Sequence, residues 1–203
     1  NLAQLNNFLK AFQVHVEGTS DISVSASNYL KDPFLKGEVK IKSLLVDTVR
    51  YGDVRVNAEW MRLEKTIRVD GQVYNPNTHS KLDVKGFVDF HENQEEIDVT
   101  ATLNRTDARW LEKLLAPDLH NIQGYADGFI QVYGTFDKPL LIGAVNLDSA
   151  SFVIDAMNVR YNTGKKPISI LFTDESIDFN KIYLYDDYGG MAVLNGKVLH
   201  NYL

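Results

Sequence analysis

The chain resembles itself at a fixed offset of 106 residues, and this constrains its fold more than any short motif does. Leu5 and Leu9 return as Leu111 and Leu115, Gly18 and Asp21 as Gly124 and Asp127. Pro33 and Gly37 return as Pro139 and Gly143, Val39 and Ser43 as Val145 and Ser149. Apolar positions between these identities track as well: Val16 with Ile122, Val24 with Ile130, Ala26 with Val132, Ile41 with Leu147. One catalytic pocket requires no such repetition. A structure that grows by adding copies, each burying its apolar side against the next, does.

The units so marked are long stretches of strand. Apolar and polar residues alternate with period two, the pattern of half-buried strands. Clear cases are Val54, Val56, Ala58, Trp60; Leu82, Val84, Gly86, Val88, Phe90; and Ile97, Val99, Ala101, Leu103. In the second copy the pattern returns at Gly128, Ile130, Val132, Gly134 and at Leu141, Gly143, Val145, Leu147. Later come Ile168, Ile170, Phe172, then Ile177, Phe179 and Ile182, Leu184. Turn chemistry is expected at Asp32-Pro33, Tyr51-Gly52-Asp53, Asn75-Pro76-Asn77, Asp137-Lys138-Pro139, Asn162-Thr163-Gly164 and Gly189-Gly190. The alternation predicts about fourteen strands. Gly124, Gly128 and Gly134 share a strand face with Ile130 and Val132, and glycines so placed mark close backbone approach and a strongly curled sheet.

Two segments follow helical spacing instead: Leu2, Leu5, Phe8, Leu9, Phe12, and Ala108, Leu111, Leu114, Leu115, the second with a cap at Thr106 and a stop at Pro117. The expected fold is therefore all-β with two short helices, an elongated antiparallel sheet built from repeats. The first unit covers residues 1–105 and the second 106–203 of one continuous domain. The abrupt start at Asn1 and stop at Leu203 read as a fragment of a larger chain, with any membrane anchor outside it.

Composition narrows the chemistry. Apolar residues make up 44% of the 203, enough for a sizeable core. A net charge of −6 with interleaved signs argues against a nucleic-acid groove, which needs clustered basic surface. Cysteine is absent, which removes disulfides, thiolate metal sites and a thiol nucleophile. His15, His79, His91, His120 and His200 are scattered without metal-ligand spacing. Asp186-Asp187 lacks the alternation of a calcium loop and reads as a turn; Glu95-Glu96 and Asp174-Glu175 read as solvated loops. No nucleophile elbow, phosphate-binding loop or dinucleotide fingerprint occurs. The expectation is a protein with no catalytic residues, no metal and no cofactor.

The stretch Ile122–Gly143, with its glycines at 124, 128 and 134 followed by Pro139 and Gly143, resembles the TamB family, the translocation and assembly module of diderm bacteria. The resemblance continues through Val145–Ile154, Met157–Tyr161 and the closing pattern Asp187–His200. It covers about residues 105–203 and is looser in the first copy, where Asn28 stands at the position of Gly134. The style is closest to Bacteroidetes versions. The resemblance implies a β-taco, a half-pipe with an apolar concave groove. It also implies a periplasmic protein anchored in the inner membrane and reaching an Omp85-class partner in the outer membrane. The implied roles are outer-membrane protein assembly and carriage of phospholipid between membranes.

On this reading Val16, Val24, Ile41, Ile130, Val132, Val145 and Leu147 line the groove for phospholipid acyl chains, because they alternate correctly, recur at the offset and include no charge. Trp110, Leu111, Leu114 and Leu115 are expected to cover an open apolar edge from a helix. Tyr125, Phe129 and Tyr133 fall on the opposite face. Fourteen strands would make a sheet roughly 65 Å long, and shelter for acyl chains is worth about 0.8 kcal/mol per CH₂. Two other readings compete: a scaffold whose sheet edge templates incoming outer-membrane strands, and, more weakly, a β-helix enzyme acting on polysaccharide.

Overall fold

The computed structural model describes residues 16–27, 34–46, 49–91, 94–112 and 119–199. Among them the chain is all-β, a multi-strand antiparallel sheet with no helix of 7 or more residues. The strands are β1 (Val16–Ser27), β2 (Phe34–Val46), β3 (Val49–Met61), β4 (Thr66–Asn75), β5 (Ser80–His91) and β6 (Gln94–Asp107). There follow β7 (Leu119–Thr135), β8 (Lys138–Ile154), β9 (Val159–Asn162), β10 (Ile168–Phe172), β11 (Ser176–Asp186) and β12 (Met191–Leu199). Among the described residues there are twelve strands, and β7 and β8 run unbroken for 17 residues each.

The chain divides into two compact units, residues 1–101 with 132–139, and residues 102–131 with 140–203. In the first, β1 to β5 follow one another as antiparallel neighbours in chain order, with β6 next. In the second, the order runs from the end of β6 through β7, β8, β10 and β11 to β12, and β9 pairs with both β8 and β11. Sequential antiparallel pairing follows from short connections, because a turn of a few residues can only return the chain beside the strand it left.

Several expected turns are turns. Asn75 opens the β4–β5 connection by accepting the Asn77 N–H at 3.0 Å, while its amide donates to the Arg50 carbonyl at 3.0 Å. Asp186 closes the β11–β12 turn by accepting the N–H groups of Tyr188 and Gly190 at 2.9 and 2.6 Å. Others are corrected. Tyr51-Gly52-Asp53 lies inside β3, with Gly52 at φ +106° opposite Leu44, and a side chain there would strike the Tyr74 carbonyl. Glu95 and Glu96 belong to β6, not to a loop. The β3–β4 turn has no Gly or Pro; Lys65 itself takes φ +47° and donates to the Arg62 carbonyl at 3.2 Å.

Of the helix expected over residues 108–115 only the start is described, and its expected cap at Thr106 is corrected. Thr106 stays in β6, and Asp107 caps a 3-10 turn, Ala108–Trp110, by accepting the Arg109 N–H. Leu114 and Leu115 lie outside the described residues, as does the whole N-terminal segment Leu2–Phe12.

A repeated local device interrupts the strands. Ser43, Arg105, Asn121, Ser149 and Lys181 all sit mid-strand or near a strand end with φ between +46° and +53°. At three of them an Asx side chain from the next strand takes the exposed N–H: Asp53 from Ser43 (3.0 Å), Asp127 from Arg105 (2.8 Å) and Asn195 from Lys181 (3.2 Å). The pairing register slips where two of them lie, between Ile41 and Leu44 and between Phe179 and Ile182. These are β-bulges. Each leaves one N–H without a ladder partner, bends its strand and shifts the side-chain phase by one. Asp127→Ala should lower stability of the second unit by about 1 kcal/mol, read from the urea midpoint by Trp110 fluorescence in a Trp60→Phe background. Asp127→Asn, which keeps an acceptor oxygen, should recover most of that loss.

Candidate functional site

In the first unit the register sorts every side chain onto one of two faces. The row Ile22, Val39, Val56, Gly71, Val84 runs straight across β1 to β5. The next row towards the β3–β4 turn is Val24, Gly37, Ala58, Val69, Gly86. Neither row holds a charge. Beyond them Trp60 meets Phe90 at 5.9 Å between ring centroids, tilted by 59°, and gives this face an aromatic end.

The opposite face is ionic. There Ser23, Glu38, Asn57, Asp70 and Lys85 form the corresponding row. Lys36 pairs with Glu59 at 2.8 Å, Lys40 with Glu38 at 2.9 Å and Lys81 with Asp83 at 2.7 Å. The hydrogen bond from Lys40 lowers the Glu38 carboxyl below its ordinary range, and those from Lys81 and Gln72 do the same for Asp83. Pairs this open to water add little stability; they keep the face wet and so orient the sheet.

The apolar face is open to very different degrees in the two units. Val24 is 71% exposed, and Ile22 and Leu35 are exposed too, while Ile41 is half-buried. In the second unit Ile130 is 8% exposed, Leu147 is buried and Val145 is 1% exposed. Val145 sits opposite Ile170, Leu147 opposite Ile168, and Gly143 lies against Ile130. A side chain at Gly128 would strike the Ala144 carbonyl, so that glycine allows the close approach its place on the strand suggested.

The expected groove residues thus fall into two groups. Val24 and Ile41 share the apolar face of the first unit; Val132, half-buried, falls in that unit by chain division. Val16 opens β1 opposite Val46, and its side chain lies outside the described residues. Ile130, Val145 and Leu147 lie together on the apolar face of the second unit, as core rather than as open surface.

Of the expected cover, Leu111 is 1% exposed just after the 3-10 turn. The Trp110 indole N–H is shut from solvent without an acceptor among the described residues. Glu112 accepts the Ile122 N–H at 3.3 Å and so ties the turn to the start of β7. Tyr125, on the other face, carries the Arg105 guanidinium 4.6 Å from its ring centre.

The histidines add no centre. His79 meets the Tyr74 hydroxyl at 3.3 Å and His120 meets Asp155 at 2.7 Å, while His15 and His200 lie outside the described residues. Among the described residues no three His, Cys, Asp or Glu side chains converge.

The bulges are what sequence reasoning missed, and a signal for them was present. In β8 the apolar phase passes from Val145 and Leu147 to Ala150 and Phe152, with Ser149 between; in β11 it passes from Ile177 and Phe179 to Ile182 and Leu184 across Lys181. A one-residue slip of phase within an otherwise continuous strand marks an inserted residue. Comparison with models of known protein families, with curated proteins and with solved structures found no match. The structure therefore defines a class by architecture alone, a two-faced antiparallel sheet.

Burial separates two substitutions that look alike in sequence. Val145→Asp should cost at least about 3 kcal/mol, since a carboxylate would be stripped of water, whereas Val24→Asp should cost under about 1 kcal/mol. Thermal and urea denaturation read both. The Asp107 carboxyl gives a pH test. Burial raises its pKa, but the Arg109 side chain, backbone N–H and charge outweigh that and hold it below the ordinary value. A depressed pKa contributes stability above the unfolded value of about 3.9, lost as pH falls through the lower folded value. Between pH 4 and pH 2, Asp107→Asn should lose stability with a shallower slope than the parent chain.

Proposed function

We propose that this chain is a non-catalytic part of a bacterial envelope protein that shelters acyl chains of phospholipid against an apolar sheet face. The observation that carries this is the charge-free face of the first unit, with Val24, Ile22 and Leu35 exposed, while the reverse carries ion pairs such as Lys36–Glu59 and Lys40–Glu38. Contiguous apolar surface of this kind marks a site for a ligand or partner, and each sheltered CH₂ is worth about 0.8 kcal/mol.

The likeness to the TamB family supports the same reading. On it the sheet curls into a half-pipe built of repeats, in a periplasmic segment of a protein anchored in the inner membrane and working with an Omp85-class partner. Two features support the repeat. Ser43 and Ser149, 106 residues apart, share a left-handed φ of 52° and 51°. Val24 pairs with Gly37, and Gly143 lies against Ile130 at the same offset. The bulges support curling, since each bends its strand. Among the described residues no helix is long and apolar enough to cross a membrane.

A second reading, strand templating, has one observation in its favour. β12 ends the strand order, pairs with β11 alone among the described residues, and exposes Val193, Val198 and Leu199. Such an edge presents unpaired backbone groups to an incoming strand.

A photocrosslinking residue at Val24 should capture phospholipid in diderm cells, and one at Ser23 on the ionic face should not. Introducing charge through Ile22→Glu and Val39→Glu should cut lipid capture at least about fivefold while the β signal in circular dichroism remains. Capture of lipid from Ser23 alone would overturn the assignment of the face. Capture of outer-membrane polypeptide in place of lipid would favour strand templating.

A further inference from the structure

The second unit contains a cavity beside β11, lined in part by the buried Ile168 and Ile182. Its volume is about 880 Å³, within the range of small-molecule sites. The β9–β10 loop forms one wall and carries Lys165 and Lys166; the floor is Tyr183, Tyr185 and Met191, with Lys181 rising from the bulge in β11. No Asp or Glu lines it, although the whole chain is acidic with a net charge of −6. Among the described residues none of the three ammonium groups has an ion-pair partner.

The loop that carries two of these cations is held at its base. Thr163 is buried; its N–H donates to the Ala150 carbonyl at 2.9 Å, and its hydroxyl accepts the Ala150 N–H at 3.2 Å. The Asn162 amide donates to the Tyr185 carbonyl at 2.9 Å and accepts the Gly164 N–H at 3.0 Å. Gly164 takes φ +65° and runs so close over Tyr185 that a side chain there would lie 3.0 Å from the ring. Lys165 and Lys166 are thus carried above the tyrosines by an anchored strap. Lys181 is fixed by its own backbone, whose N–H donates to Asn195 at 3.2 Å.

We propose that this cavity binds an organic oxyanion, a phosphate ester whose charge meets Lys165, Lys166 and Lys181 and whose apolar or aromatic part lies on Tyr183, Tyr185 and Met191. Three ammonium groups without carboxylates give the charge complementarity. The tyrosine and methionine surfaces give a reason for the ligand to be more than inorganic phosphate. The ester can come from a soluble metabolite or from a lipid headgroup. The proposal does not depend on acyl chains binding the apolar face of the first unit.

Calorimetric titration of the full chain with inorganic phosphate, phenyl phosphate and dihexanoyl phosphatidylglycerol below its micellar concentration tests it. Phenyl phosphate should bind more tightly than inorganic phosphate. The combined variant Lys165→Gln, Lys166→Gln, Lys181→Gln should weaken it by a factor of about ten or more. All three lysines are exposed, so the variant should keep its β signal, and Lys138→Gln, outside the cavity, should change nothing. Tyr183→Ala should weaken phenyl phosphate and leave inorganic phosphate unmoved. Lysine-dependent binding of the short-chain lipid would assign the headgroup as source; lysine-dependent binding of phenyl phosphate without the lipid would assign a soluble ester. No binding by any probe, binding indifferent to the three lysines, or equal affinity for inorganic and phenyl phosphate would each overturn the proposal.

Discussion

A side chain on a β-strand points to one face of its sheet or the other, and its neighbour points the opposite way. In this chain that geometric rule governs almost everything else. Away from the bulges the first unit keeps five strands in register, so the alternation in each strand is added to that of the next. The result is one face without charge and one face of ion pairs. A slip of a single residue in β2 or β3 would place Glu38 or Arg55 among the valines and so put a charge on the apolar face. The ionic face contributes little energy directly but resists the inverted arrangement, because its carboxylates are stabilised as anions where they stand.

The bulges modify this rule without breaking it. At Ser43, Ser149 and Lys181 an extra residue is absorbed with left-handed φ, and apolar residues on both sides still reach the same face. Leaving a backbone N–H off the ladder would cost about as much as a lost hydrogen bond, of order 1 kcal/mol. The side chains of Asp53, Asp127 and Asn195 restore it. The same device fixes Lys181 in the wall of the cavity, so a feature that bends a strand also positions a cation.

The two units differ in how far their apolar residues are buried. Val145 and Ile130 are core, whereas Val24, 106 residues before Ile130, stands open. The open face calls for a ligand or partner and carries the proposed shelter for acyl chains. The cavity over Tyr183 and Tyr185 differs in joining three cations to an apolar and aromatic lining, and its proposed ligand differs accordingly.

Period-two alternation and the absence of helical runs in the middle of the chain were enough to specify an all-β molecule, because side-chain direction in a strand depends on nothing beyond the backbone. Strand phase is legible too: Val24 and Ile41 share a face by register, as do Val145 and Leu147. Gly52 was read as a turn since glycine favours turns, but its positive φ serves a bulge inside β3, and only the register with Leu44 decides between the two. Glu95 and Glu96 were read as loop because of their charge, yet a strand with one solvated face accommodates it. Tertiary structure alone decided how deeply each face is buried: burial depends on what packs against a surface, and alternation carries no record of that. It alone also brought Lys165, Lys166 and Lys181 to one cavity. Their meeting requires the β9–β10 loop to fold back over β11, a contact set by hydrogen bonds to Ala150 and Tyr185 that no spacing in the sequence displays.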